Sequence, residues 1–529
     1  MIAPLLAQIM LIAAILGGCA ALPPGADLPK TQSLALDRPE LTRLGRRFAA
    51  PMRDHPGKSA LHLLPVGVDG FLTRVQMINV AEHTIDLQYF IFHEDHTGAL
   101  LNDVLLRAAD RGVRVRVLLD DLEGSEREAQ IAALDAHANI EIRLFNPFNY
   151  RGPMKFLRQA NFLFAASRLD YRMHNKLFVV DNAVALVGGR NVGDEYFQVG
   201  STLRVGDYDV FAAGPVVKQL SASFDTFWNA ALSIPVATLE GKDSSQSALD
   251  AYRRVLEQPR KKVLDTDYVR RLASGEPLAG MLSGRLPLVW ASAQVVSDSP
   301  SKKRAAANQP ADTLRLPPLA DALAAVRSEL LIVSPYFVPG REGMRLIEEL
   351  RKRDVRVRVL TNSLASTEDS LHLLAHAAYA RYRLPLLDRG VEIYEMRPRL
   401  GKAKGSGDAK AGEAAYALHA KALVFDRRKL FIGSMNFDQR SMHINTEMGL
   451  LIDSPELAQQ SAERFASLVL PANSYALRLR SDDVGGQPRL VWRSEENGRP
   501  VETDAEVARS AAQRFKFGLF SLLPFDGEL

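Results

Sequence analysis

The sequence predicts an α/β fold of two tandem repeats, each a mixed, mostly parallel sheet flanked by helices, with the repeats packed about a pseudo-two-fold axis. Three observations predict it: an internal duplication, the same order of strand-like and helix-like runs in both copies, and a chain of 529 residues, 47% of them hydrophobic, longer than one core usually serves. The hexapeptide Val-Arg-Val-Arg-Val-Leu at 113–118 returns unchanged at 355–360. Each copy follows a helix-like run, 98–111 or 342–353, and each of those follows an apolar strand, 85–90 or 330–337, that closes on an aromatic pair, Tyr89-Phe90 or Tyr336-Phe337. Strand, helix, strand is the βαβ unit, whose crossover makes neighbouring strands parallel. A further strand follows in each copy, at 140–145 and 391–396.

The chain before the repeats reads as an address. No charged side chain precedes Asp27, and 5–16 is apolar apart from Gln8, the length of a signal-peptide apolar region. Leu16-Gly17-Gly18-Cys19-Ala20 then resembles a bacterial lipobox, which makes Cys19 the expected site of lipidation and the mature N-terminus. An uncleaved anchor over roughly 2–22 is the alternative, because the first residues carry no Lys or Arg. Both readings put the body at a membrane surface of a bacterial cell envelope. Cys19 is the only cysteine, so a disulfide framework and a Cys-rich metal site are excluded. The expected organisation is a lipoprotein-type signal peptide at 1–18, a tether at 19–60, a first repeat at 61–235, an insertion and linker without chemistry at 236–312, a second repeat at 313–475 and a C-terminal segment at 476–529. The low-complexity stretch 401–412 reads as a loop.

The chemistry sits in a motif present twice. The first copy reads His174-Asn175-Lys176, four residues, Asp181, six residues, Gly188-Gly189-Arg190-Asn191; the second reads His419-Ala420-Lys421, four residues, Asp426, six residues, Gly433-Ser434-Met435-Asn436. Residues two apart in a strand share a face, so each histidine is expected beside its lysine. Apolar runs on either side of Asp181-Asn182 and Asp426-Arg427 make each motif a β-hairpin that returns Gly188 and Asn191, or Gly433 and Asn436, alongside the histidine. Such a set suits phosphoryl transfer: a neutral imidazole attacks phosphorus while ammonium and amide donors hold the oxygens, and the glycines let backbone approach the phosphate. With two copies facing each other, the second histidine handles the proton of the leaving and entering alcohols. No cofactor or metal is expected.

A histidine in either role needs a carboxylate on its other nitrogen. Asp207 stands seven positions before Gly214-Pro215 and Glu447 seven before Ser454-Pro455, so each repeat offers one. Asp207 is expected to orient His174 and Glu447 to orient His419, with Asp209 a competitor in the first copy. Asp181 and Asp426, at the turns, are expected to be structural. His55, His62, His83, His137 and His443 read as satisfied or exposed side chains.

The paired motifs resemble the HKD signature of the phospholipase D superfamily over about 61–471, and Gly188-Gly189-Arg190-Asn191 together with Arg172-Met173-His174-Asn175-Lys176 resembles the C-type bacterial cardiolipin synthases. The resemblance implies a phosphatidyl donor, a phosphatidyl-histidine intermediate and phosphatidylglycerol as acceptor, with His174 as nucleophile and His419 as acid and base. The lipobox departs from the general cardiolipin synthase pattern. Phospholipid substrates and a membrane surface are therefore the expected partners. Hydrolysis to phosphatidic acid is the alternative with the same chemistry. A nuclease is disfavoured by a net charge of only +4 with no basic stripe and interleaved aromatics, and a non-catalytic lipid-binding lipoprotein by two complete motifs. At the C-terminus, Thr503-Asp504-Ala505-Glu506 resembles a capping box before an amphipathic run, expected either in the headgroup region or docked on the protein's own core.

Overall fold

The computed structural model describes residues 22–122, 127–151, 166–200, 203–239, 244–263, 276–302, 316–367, 370–400, 415–480 and 488–522. Cys19, with the lipobox-like residues around it, and the stretch 401–412 lie outside them. The first repeat contributes strands β1 (Ser59–Leu64), β2 (Thr84–Tyr89), β3 (Arg114–Asp120), β4 (Ile140–Phe145), β5 (Leu177–Val180), β6 (Val184–Gly188), β7 (Leu203–Gly206), β8 (Asp209–Ala213) and β9 (Ser233–Pro235). All but β7 join one sheet in the spatial order β1-β8-β6-β5-β2-β3-β4-β9. The remaining strands are β10 (Val289–Ser297), β11 (Glu329–Val333), β12 (Phe337–Val338), β13 (Arg356–Asn362), β14 (Glu392–Met396), β15 (Ala415–Leu418), β16 (Ala422–Phe425), β17 (Lys429–Gly433), β18 (Phe437–Asp438), β19 (Met448–Asp453), β20 (Ser474–Arg480), β21 (Arg489–Glu496) and β22 (Arg499–Thr503). Their main order, β10-β19-β17-β16-β11-β13-β14-β20-β21-β22, repeats the first sheet and extends it by a C-terminal hairpin.

The sheets are mixed but mostly antiparallel, against the expected parallel majority. Within the two main sheets only β2-β3-β4 and β11-β13-β14 run parallel, with helices His96–Asp110 and Glu128–Asp135 crossing over in the first and Gly340–Lys352, Ser370–Ala380 and Arg383–Asp388 in the second. The motif hairpins β5-β6 and β16-β17 return through short turns, which admit antiparallel pairing alone, and their outer neighbours also pair antiparallel. Strand alternation then buries both faces of each sheet. Leu177 and Val179, with Ala422 and Val424, enter a central core that both repeats share with the helices Pro215–Trp228 and Pro455–Leu468. Phe178 and Val180 enter the outer core of the first repeat, and Leu423 and Phe425 that of the second.

Three local expectations are corrected. Strand β10 lies in the supposed linker and pairs antiparallel with both β1 (Ser59 opposite Ala291) and β19 (Ser297 opposite Met448), joining the two sheets. The run 330–337 is interrupted at Ser334-Pro335, since proline cannot donate to a ladder. The aromatic pairs do not correspond in space either: the Phe92–Val192 bridge is the counterpart of the Phe337–Phe437 pairing, so Phe92 answers Phe337.

Candidate active site

Backbone pairing between repeats brings the two histidines to one place. β7 and β15 pair in parallel, and Met173 bridges Thr446, so each motif is laced to the opposite repeat just before its histidine. His174 N donates to Thr446 O at 2.9 Å, and His419 N to Gly206 O at 2.8 Å. Thr446 and Gly206 immediately precede the two carboxylates.

This lacing crosses the partners. His174 Nδ1 lies 2.9 Å from Glu447 Oε2, and His419 Nδ1 lies 2.5 Å from Asp207 Oδ2. The expected pairing within each repeat is therefore wrong: each carboxylate serves the histidine of the other repeat, because its own β-strand runs into the interface. Asp209, the competitor, is occupied elsewhere, accepting from Arg74 at 2.9 Å and Arg190 at 2.7 Å.

Both lysines are buried under the site and tether their motifs, Lys176 Nζ donating to His174 O at 2.7 Å and Lys421 Nζ to His419 O at 2.5 Å. Burial pushes the Lys421 ammonium down to about 8, and Lys176 well below its ordinary range. Burial, then Lys176 and the Lys421 of the other repeat, holds His174 far below the usual imidazole range. Burial, followed by Lys421, takes His419 down to about 3. These shifts favour the neutral ring that nucleophilic attack requires, so a histidine acting as acid depends on the carboxylate at its Nδ1 to hold the cationic form. The carboxylates differ. Burial raises Glu447 to about 7 against the pull of Lys176, whereas for Asp207 the upward push of burial is outweighed by the His419 ring, Lys421 and Arg190, leaving it at about 2.

The motif glycines are also required by the packing around them. A Cβ on Gly188 would lie 2.2 Å from Tyr208 O, and one on Gly433 2.3 Å from Met448 O, so these positions admit the neighbouring strand. At Gly189 the obstacle is the Asp207 carboxylate, 2.4 Å from an added Cβ. In the second repeat that place is held by Ser434, whose Oγ donates to Glu447 Oε2 and accepts from Met448 N at 3.0 Å. Asn191 Nδ2 donates to Tyr196 Oη at 3.0 Å, while the buried Asn436 Oδ1 has no partner among the described residues. Asp181 and Asp426 are far from this chemistry. Asp181 accepts from the backbone of Glu82, His83 and Thr84, and Asp426 from that of Arg327, Ser328 and Glu329.

The comparisons with known proteins agree with this duplicated site. The family described as "Cardiolipin synthase, PLD-like domain" matches residues 75–228 and 319–469. Cardiolipin synthase C of Escherichia coli is 37% identical over 491 residues, covering 92% of this chain and 99% of that protein. The chain belongs to the cardiolipin synthase family of phospholipase D-like proteins. That family comprises phosphatidyltransferases and phosphodiesterases. An uncharacterized protein of Helicobacter pylori is 32% identical over 438 residues, with 80% of this chain and 82% of that one covered. The phosphatidylserine synthase of Haemophilus influenzae shares the fold, with a TM-score of 0.52 at 12% identity over 82% of this chain and 92% of that one.

Several residues around the site of this cardiolipin synthase family member were not singled out by spacing. Asp298 and Lys302 come from the supposed linker. Asp298 Oδ2 accepts from Glu447 N at 2.9 Å, and buried Lys302 Nζ donates at 2.7 Å to Asp298, Ser441 O and Asn445 O, so the pair fixes the loop that ends in Glu447. Phe90 stands edge-on to His174 at 4.9 Å and Tyr196 edge-on to His419 at 5.2 Å. Phe90 is marked only as the end of its strand, and no local pattern marks the others, since each is defined by a partner distant in sequence. One group with metal-ligand geometry exists among the described residues, His93, Asp95 and Glu195, with ligand atoms within 4.8 Å of one another. Asp95 there also caps the helix His96–Asp110 through Gly98 N, at 3.0 Å, and accepts from Asp194 N at 2.6 Å.

Proposed function

We propose that this chain is a membrane-associated phosphatidyltransferase of cardiolipin-synthase type, which passes a phosphatidyl group to an alcohol such as phosphatidylglycerol through a phosphohistidine. The observation that carries the reading is the crossed arrangement in which each HKD histidine has its Nδ1 on a buried carboxylate of the other repeat, so that on each ring Nε2 is the nitrogen left for chemistry. The matched family and the Escherichia coli relative support the phosphatidyl chemistry. In the first step His174 Nε2 attacks phosphorus, the bond to the leaving alkoxide breaks, and His419, entering as the imidazolium, gives that oxygen its Nε2 proton and becomes neutral. In the second, His419 takes the proton of the incoming hydroxyl, the new P–O bond forms and the P–N bond breaks.

The carboxylates support this division of roles. Asp207, held ionised, favours the imidazolium from which an acid gives its proton, and it faces His419; Glu447, raised to about 7, leaves His174 the less cationic partner. Trapping tests the assignment. With a donor bearing a good leaving group, His419→Asn should accumulate a phosphatidyl adduct on His174, and His174→Asn none; an adduct mapped to His419 reverses the roles. Incubating the enzyme with phosphatidylglycerol vesicles and glycerol, then profiling lipids, separates transfer from hydrolysis, since phosphatidic acid as the main product would replace transferase by phospholipase D. Among the described residues no helix is long and apolar enough to cross a membrane, and anchoring through Cys19 is part of the same proposal. Cys19→Ser should block lipidation while leaving turnover in detergent intact.

A further inference from the structure

The C-terminal helix Ala511–Phe520 has its N-cap seven positions beyond Thr503, the cap of the expected capping box. Arg499–Thr503 is instead strand β22, paired with β21 across Asn497-Gly498, both at positive φ, and the helix cap is Ser510, whose side chain accepts from Gln513 N. The helix docks by one face only. Gln513 Nε2 donates to Leu364 O at 2.9 Å, and the Phe517 ring lies 5.6 Å from that of His376. Phe515, Leu519 and Leu522, a stripe with i, i+4, i+7 spacing, point the other way and are 76%, 55% and 79% exposed. At about 100° per residue, Phe515 is turned about 200° from Gln513. Arg514 and Lys516, both exposed, flank the stripe on either side. The nearby Glu506 does not neutralise them, because it is committed to Arg383 at 2.6 Å. The helix also stands on the site's own side of the molecule: the turn Leu364–Ser366 that receives Gln513 follows Asn362, and Asn362 exchanges hydrogen bonds of 2.8 and 2.9 Å with Leu418, the neighbour of His419.

We propose that this helix is an interfacial contact, seating Phe515, Leu519 and Leu522 at the headgroup–acyl boundary of an anionic phospholipid bilayer and holding the entrance of the site against its lipid substrate. An apolar stripe rimmed by cations and laid parallel to a surface is the pattern that binds such an interface. The part concerning substrate rests on the function proposed above, whereas the contact itself is tested independently. In the full chain carrying Cys19→Ser and Leu519→Cys, an environment-sensitive fluorophore at position 519 reports the contact. Vesicles containing phosphatidylglycerol should shift its emission to the blue, and phosphatidylcholine vesicles much less. An unshifted fluorophore on protein that sediments with anionic vesicles overturns the contact, and equal shifts on both vesicles overturn its preference for anionic lipid. Phe515→Ser with Leu519→Ser should lower turnover of bilayer phosphatidylglycerol by about tenfold while sparing a short-chain monomeric analogue. Equal loss on both substrates overturns the role in presenting the bilayer. If the parent turns over neither substrate, the function fails while the fluorophore still decides the contact.

Discussion

Asp207 and Glu447 hold equivalent places in the two repeats, yet their immediate neighbours make them unlike. The shorter carboxylate reaches so close to its own repeat's motif that only glycine fits at 189, whereas the longer one leaves room for the Ser434 hydroxyl. The electrostatic difference has a measurable consequence for Glu447. Its folded pKa, about 7, exceeds the ordinary 4.5, so the folded chain keeps a proton that the unfolded chain has lost. Stability from this group is accordingly lost as pH rises from about 4.5 to about 7, and the full penalty, on the order of 3 kcal/mol, stands above that window. Glu447→Gln does not titrate. Its stability relative to the parent should therefore be several kcal/mol more favourable at pH 8 than at pH 4.5, read by denaturant unfolding. The same variant should lose about 10³- to 10⁴-fold in turnover, as expected when a catalytic imidazole loses its orienting carboxylate. An unchanged stability difference at the two pH values would show that Glu447 does not carry its proton into the folded state.

At the scale of elements, the motif hairpins were legible because their determinants are local. Strict spacing, an apolar run on each side and an Asp at the turn define β5-β6 and β16-β17, and both turns adopt positive φ at Asp181-Asn182 and Asp426-Arg427. The supposed linker hid β10 because its strand ladder is made with β1 and β19, more than 100 residues away in sequence. Asp298 and Lys302 escaped for the same reason, as did the choice of carboxylate for each histidine. The turn aspartates are separable from catalysis. Each accepts three backbone N–H groups, but Asp181 is wholly buried and Asp426 is partly exposed, where water can replace it. Asp181→Ala should cost about 3 kcal/mol and Asp426→Ala about 1 kcal/mol in unfolding free energy. Turnover per folded molecule should stay within about twofold of the parent for both, since neither group touches the reacting atoms. A loss of activity without loss of stability would move these residues from scaffold to mechanism.

For the whole molecule, the crossed pairing means that neither repeat owns an active site. The first holds His174 and Asp207 but lacks Glu447; the second holds His419 and Glu447 but lacks Asp207. What keeps them together is noncovalent: the ladder of β10 with β19, the parallel pair β7-β15, the Met173–Thr446 bridge and a central core drawn from both repeats. A protease site introduced between 303 and 315 leaves all of these contacts on either side of the cut. The nicked enzyme should remain associated and keep its turnover within about twofold, because chain continuity contributes only loop-closure entropy once the interface has formed. Separated under denaturant and refolded alone, each half should be inactive, and equimolar refolding of the two should restore activity. Restoration should fail when the first half carries Asp207→Asn, even though that half keeps its own His174, because the residue lost is the one that His419 of the other half leans on. Activity from a half refolded alone would mean that a repeat can build a site with a second copy of itself, and would remove the division of roles between His174 and His419.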